Sequence, residues 1–261
     1  MRLTKSEIQY LRSLSQKKYR EQEKKFLLEG WRPLEEALKS DWRIDLIAAL
    51  PSQNTEYRAL LEKAKKKAVQ VKELSVKELG QVSSTVHSQG VVAVVHQREF
   101  RLEDVLTKQA KLIVALDAVN DPGNLGSIIR SCDWFGVDAL LLGNGCVELY
   151  NEKVVRSTAG SIFHIPVVEG VDLPVALSKV KKSGYAVVTL SGDGTESYVE
   201  GRLKAPAVLV FGSEAHGVSK EVRSASDAVL KIPGYGSAES LNVGVACGIV
   251  LAHVRAEKKN S

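Results

Sequence analysis

The order of apolar and polar positions divides the chain into alternating helices and strands. Over residues 4–25, Ile8, Leu11 and Leu14 recur at helical spacing, which predicts one amphipathic helix studded with basic side chains. Phe26–Gly30 reads as a short strand and Pro33–Lys39 as a helix with proline near its first turn. A strand (Ile44–Leu50), a helix (Glu56–Lys67), a strand (Ala68–Val71), a helix (Val76–Gln81) and the apolar run Val91–Val95 complete a small α/β layer. Gln97–Lys108 has little periodicity beyond Leu102, Val105 and Leu106. The expected division is therefore a first domain over residues 1–97, a linker over 98–107 and a second domain over 108–261.

In the second domain Leu112–Leu116 is a continuous apolar strand. Leu125, Ile128, Ile129 and Cys132 then give the core face of a helix from about Leu125 to Phe135, with Asn124 as its expected N-cap. Strands follow at Val137–Leu142, Phe163–Val168, Tyr185–Leu190, Ala207–Phe211 and Ala228–Ile232. Helices are expected at Asn151–Ala159, Asp172–Lys182, Ser219–Ala225 and after Asn242. Repeated strand–helix–strand order means a parallel sheet with its ligand crevice outside the carboxyl ends of the strands. The loops expected there, Ser191–Gly194, Gly212–Gly217 and Ile232–Asn242, are rich in small residues that let backbone approach a ligand closely. Gly244 and Gly248 share one face of the last helix, which predicts tight helix packing.

Composition changes this picture little. Hydrophobic (44%) and charged (26%) fractions over 261 residues are those of a globular protein. No apolar run approaches the roughly 18 residues of a membrane helix, and the first residues lack the apolar core of a secretory signal. The expectation is a cytoplasmic protein with no membrane partner. Cys132, Cys146 and Cys247 are widely spaced, without a CxxC or Cys/His pairing, and read as small buried hydrophobes rather than a disulfide framework or metal site. His87 and His96 have no acidic or cysteine neighbour at useful spacing and read as structural or exposed. The net charge of +5 leaves nucleic acid open as a partner. The basic residues of 2–25 and the cluster Lys63, Lys65, Lys66, Lys67 and Lys72 suit either a solvated surface or a face for a phosphate backbone.

Candidate chemistry lies in the second domain. Arg130 falls on the stripe of Gly123 and Gly126, off the core face. Its guanidinium either makes a surface ion pair or lies back beside free N–H groups at the helix start, where anions are attracted. Glu214, in a glycine-flanked loop, is either a turn residue or a site carboxylate. The GxGxxG dinucleotide fingerprint is missing.

Three stretches carry a resemblance: NDPGNLGSIIRSCDWFG (Asn120–Gly136), LVFGSEAHGVS (Leu209–Ser219) and IPGYGSAESLNVGVACGIVLAHV (Ile232–Val254). In this order they resemble motifs 1, 2 and 3 of the SpoU (TrmH-type) branch of the SPOUT methyltransferases, over about residues 108–256. Lys17–Leu38 and Ser88–Val95 are similar to the family's L30e-like substrate-binding domain. The resemblance implies an α/β fold: a SPOUT α/β-knot catalytic domain, trefoil-knotted with a mainly parallel sheet, after a small L30e-like α/β domain. It further implies S-adenosylmethionine as cofactor and a ribose 2′-hydroxyl of RNA as methyl acceptor, with ribosomal RNA favoured over transfer RNA. The working form would be a homodimer with its sites at the interface.

Carried over residue by residue, the catalytic positions are Asn124, Arg130, Glu214, Ser240 and Asn242. Gly212, Ile232 and Leu241 would make main-chain contacts to the cofactor, with Leu190 and Ser191 as the adjoining wall, so Gly212→Val is expected to clash with it. Arg130 matches the residue given the proton-accepting task in family proposals. A guanidinium has five donors and no acceptor, so an electrostatic role on a phosphate and a developing oxyanion stays equally open. Two other classes are a non-catalytic RNA-binding protein that kept the fold and a small-molecule enzyme using a nucleotide. The missing phosphate-loop signatures disfavour the second.

Overall fold

Most of the expected elements form in the computed structural model, which describes residues 1–85, 88–108, 110–200 and 206–257. His87 lies outside the described residues. The chain falls into two compact units, Met1–Arg98 with Tyr150–His164, and Glu99–Leu149 with Ile165–Ser261.

The first unit opens with α1 (Lys5–Ser13), whose start is closed by a capping box between Thr4 and Glu7. The single helix expected over 4–25 is broken. Arg20 is buried and donates to the carbonyls of Leu14 (2.9 Å) and Ser15 (2.6 Å), satisfying groups that would otherwise demand another helical turn. The chain restarts as α2 (Lys17–Glu23), and Lys24, in the left-handed region at φ 52°, turns it into β1 (Lys25–Glu29). There follow α3 (Trp31–Lys39), β2 (Ile44–Ala49), α4 (Thr55–Lys66) with Asn54 as N-cap, β3 (Gln70–Glu73), α5 (Val76–Val82) and β4 (Val91–His96). The sheet order is β1-β4-β2-β3, with β4 antiparallel to both neighbours and β3 parallel to β2. Leu11, Leu14, Leu27, Ala48, Val92 and Val94 share its core.

Several charges of this unit are paired inside it. Lys72, expected on a basic patch, is buried and meets Glu7 at 2.5 Å. Hydrogen bonds from Lys72 and then from the Thr4 backbone hold the Glu7 carboxyl down at about 2. Asp45 is shared by Lys25 (2.7 Å) and by Nε2 of His96 (2.8 Å).

The second unit begins inside the stretch expected as a linker. Leu102–Thr107 forms α6, and Leu102 and Val105 are buried in this unit's core. Next come β5 (Leu112–Asp117), α7 (Pro122–Trp134) and β6 (Ala139–Gly143). Tyr150–His164, with α8 (Glu152–Ser157) and a 3₁₀ turn at Ser161–Phe163, then packs in the first unit. There the Tyr150 ring lies 4.9 Å from that of Phe26, Phe163 is edge-on to Trp42 at 5.2 Å, and Tyr150 Oη donates to the Arg98 carbonyl (2.7 Å). Phe163–Val168 is therefore not one strand as expected.

The chain resumes in the second unit as β7 (Val167–Val171), α9 (Leu173–Lys182) capped by Asp172, β8 (Ala186–Leu190) and a two-residue β9 (Glu196–Ser197). It ends with β10 (Ala207–Gly212), α10 (Lys220–Ser224), β11 (Ala228–Lys231) and α11 (Val243–Glu257). The sheet runs β7-β6-β5-β10-β8-β11-β9, every pairing parallel. No helix among the described residues is long and apolar enough to cross a membrane.

The last helix packs on α7 through its small residues. A β-carbon at Gly244 would lie 3.6 Å from Cβ of Ser127, and one at Gly248 would lie 4.0 Å from Oγ of Ser131. Cys132 of α7 and Cys247 of α11 are both buried, and burial pushes the Cys132 thiol well up. Cys146 is half-buried, its thiol pushed up by burial to about 11. Arg255 donates to the carbonyls of Phe135 and Gly136, closing the carboxyl end of α7.

Candidate active site

Strands β10, β8 and β11 lie side by side, so the loops leaving their carboxyl ends converge. Together they wall a cleft of about 530 Å³. Leu190 and Ser191 come from the loop after β8, Gly212 and Glu214 from that after β10, and Ile232, Ser240 and Leu241 from that after β11. All five positions expected to hold a cofactor line this one cleft, with two of the five expected catalytic residues.

Each wall has a local cause. After β10 the chain folds straight back, with the N–H of Gly217 donating to the Ser213 carbonyl at 2.8 Å. A β-carbon on Gly212 would stand 2.1 Å from the backbone of Gly217. This corrects the expectation for Gly212→Val, because the side chain would collide with its own loop before any ligand entered. On the β8 side Oγ of Ser191 donates to Asp193 (2.5 Å), whose other oxygen accepts from Arg223 (2.5 Å). The Ser191 hydroxyl and the Arg223 guanidinium hold the Asp193 carboxyl below its usual range.

Asn124 is not the cap of α7. Asp121 is, accepting from the N–H of Asn124 at 2.8 Å. Asn124 lies one turn inside, and its side chain is free for other work: Nδ2 donates to Glu214, and Oδ1 accepts from Nδ2 of Asn242 at 2.8 Å. Asn242 in turn accepts from the N–H groups of Gly244 (2.9 Å) and Val245 (3.2 Å), capping α11. The backbone donors fix which way the Asn242 amide faces, and the carboxylate fixes Asn124. One chain of hydrogen bonds thus joins all three motif stretches and ends on Glu214 at the cleft.

Arg130 is the exception. It is exposed on α7 and belongs neither to the cleft lining nor to that chain. One turn further along the helix stands Trp134, 84% exposed, and α11 presents Val245, 52% exposed. The sequence reading missed Gly192, Tyr235 and Glu239, which also line the cleft. Their only signal was membership of the same small-residue loops.

An all-parallel sheet with a small-molecule cleft over three adjacent strand ends, beside a carboxamide–carboxylate chain, is the build of a cofactor-using α/β enzyme. Residues 111–252 match the model of the SpoU rRNA Methylase family, and residues 5–93 match that of the MRM3-like substrate binding domain. The chain belongs to the SpoU family. It is 36% identical over 244 residues to the 23S rRNA (guanosine(2553)-2'-O)-methyltransferase RlmP of Bacillus subtilis (strain 168), covering 94% of each protein. An AdoMet-bound rRNA methyltransferase from Sinorhizobium meliloti superposes with a TM-score of 0.88 at 30% identity, over 98% of this chain and 96% of that one. The SpoU methyltransferase AviRb from Streptomyces viridochromogenes, in complex with AdoMet, gives a TM-score of 0.88 at 25% identity, over 98% and 99%.

Proposed function

We propose that this chain methylates a ribose 2′-hydroxyl of 23S-type ribosomal RNA, and that the cleft over β8, β10 and β11 holds S-adenosylmethionine. The observation that carries the reading is the hydrogen-bonded chain from Asn242 through Asn124 to Glu214, which ends on that cleft. The cleft suits the cofactor in size, within the few hundred to about 1,000 Å³ of small-molecule sites. Leu190, Phe211, Ile232 and Leu241 give it apolar faces, and at Gly192, Gly234 and Gly236 no atom beyond the adjoining residues stands within 4 Å of where a β-carbon would be. When bound, S-adenosylmethionine supplies an electrophilic sulfonium methyl group.

The chain's own residues do the rest. Leu190, Ser191, Gly212, Ile232 and Leu241 hold the cofactor, and Asn124 and Asn242 keep the Glu214 carboxylate aimed into the cleft. Ser240 adds a hydroxyl to the same wall. A ribose hydroxyl is a weak nucleophile whose oxygen gains charge as its proton passes to water and the new C–O bond forms. Arg130, rich in donors and without an acceptor, fixes the neighbouring phosphate and stabilises that developing charge. Because Arg130 stands outside its own cleft, it serves the site of a second copy in a homodimer. The exposed Trp134, one turn along α7, and Val245 on α11 supply apolar area for that contact. In this reading the chain from Ile232 into α11 forms the knot that the family resemblance implies. The first unit holds the RNA, which favours ribosomal over transfer RNA, in the cytoplasm.

The test incubates purified protein with isotopically labelled S-adenosylmethionine and unmodified 23S rRNA, then digests the RNA to nucleosides. Label in a 2′-O-methyl nucleoside supports the reading. Label in a methylated base, or transfer to tRNA alone, overturns it.

A further inference from the structure

Within the cleft loop Pro233–Gly236 stands Tyr235, 97% exposed, more than any other large apolar side chain among the described residues. It lines the cleft at 97% exposure, and at its neighbours Gly234 and Gly236 no atom beyond the adjoining residues stands within 4 Å of where a β-carbon would be. A ring inside a cleft of this size would be walled by the opposite loops. A ring this exposed stands at the mouth, where a second substrate enters after the cofactor has filled the interior. Leaving an aromatic face in water is unfavourable unless something flat covers it in the working complex. RNA offers such a face in every base, and base–aromatic stacking tolerates any sequence.

We propose that Tyr235 stacks on the base of the target nucleotide and so holds its ribose over the cleft; this rests on the methyltransferase reading above. The ring sets the position of the sugar without taking part in proton or methyl transfer. Ring area is what matters, so the phenolic oxygen is dispensable.

Tyr235→Ala and Tyr235→Phe separate this role from others, since a fully exposed loop position can lose its ring without loss of fold. Three quantities are compared with wild type: the KM for unmodified 23S rRNA transcript, affinity for that transcript without cofactor, and S-adenosylmethionine affinity by calorimetry without RNA. Tyr235→Ala should raise the RNA KM about 10- to 100-fold, in line with one lost stacking contact. It should weaken transcript binding and leave cofactor affinity within about twofold, and Tyr235→Phe should behave as wild type. A Tyr235→Ala protein that loses cofactor affinity while its RNA KM is unchanged would place the ring on the cofactor and overturn the proposal. So would an alanine variant unchanged in all three quantities, or a phenylalanine variant as impaired as alanine. If wild type itself neither binds S-adenosylmethionine nor methylates the transcript, the methyltransferase reading falls as well.

Discussion

In the first unit the half-buried Glu7 meets the buried Lys72, with a capping box on one side and the lysine stem on the other. In the second, Glu214, Asn124 and Asn242 are joined just as directly, but at the edge of a cleft, with Glu214 and Asn242 exposed. The two carboxylates are of one chemical type. The burial of Lys72 makes the first a matter of stability, because an unpaired buried lysine is costly. Exposure makes the second nearly neutral for stability, since surface polar contacts contribute little. What the exposed chain does provide is orientation, which matters only when a ligand lies in the cleft. The pair on the buried Lys72 belongs to the fold, and in the function proposed above the polar chain that ends on the cleft belongs to the chemistry.

Gly212→Val should break both sides of this contrast at once. With 2.1 Å between its β-carbon and the Gly217 backbone, the loop cannot close. Calorimetry should find no S-adenosylmethionine binding, and denaturant unfolding should show a loss of about 1–3 kcal/mol. Arg130→Ala sharpens the contrast, because an exposed residue outside the cleft should cost about 100- to 1,000-fold in turnover. Its melting temperature and cofactor affinity should match wild type; full turnover on 23S rRNA would remove Arg130 from the mechanism.

Asn124→Ala cuts the chain in the middle. Turnover should fall about 100-fold, the scale of a misplaced positioning group, while stability changes by less than about 0.5 kcal/mol. A large loss of stability with unchanged kinetics would put Asn124 with the fold and erase the distinction.

The smallest effect is expected from Glu7→Gln, which should lower stability by about 2 kcal/mol and leave kcat untouched. Glu7 has its carboxyl at about 2 in the fold against 4.5 as its ordinary value. The unfolded chain therefore binds this proton more readily than the folded one. The contribution is complete above pH about 4.5 and disappears as pH falls toward 2. Unfolding curves of wild type and Glu7→Gln should converge over that window; a constant offset would contradict the pairing.

The alternation of apolar runs and helical stripes is enough to place five of the seven strands described in the second unit, because β5, β6, β8 and β10 are buried on both faces and read as continuous apolar segments. By contrast, β7 begins later than expected and the two-residue β9 gives no pattern. What escaped depends on contacts distant in sequence or on very short elements. The break between α1 and α2 is enforced by a buried arginine side chain, which periodicity does not register. The membership of Tyr150–His164 in the first unit rests on rings from Phe26 and Trp42, more than a hundred residues away. The helix in the expected linker has only two buried positions, too few to set a period. At the site, the residues of the three motifs were legible, but their wiring was not. Asn124 read as a cap because asparagine before a helical stripe favours that role. Only the fold shows Asp121 capping first and releasing the amide toward Glu214 and Asn242.

The central claim is that this chain places one methyl group on one ribose of ribosomal RNA. Its most direct test is a map of 2′-O-methyl groups along the rRNA of cells lacking the gene, complemented with either the wild-type or the Arg130→Ala protein. One ribose should lose its methyl group in the deletion, regain it with wild type and stay bare with Arg130→Ala. An unchanged map in the deletion strain, or full restoration by Arg130→Ala, would contradict the account.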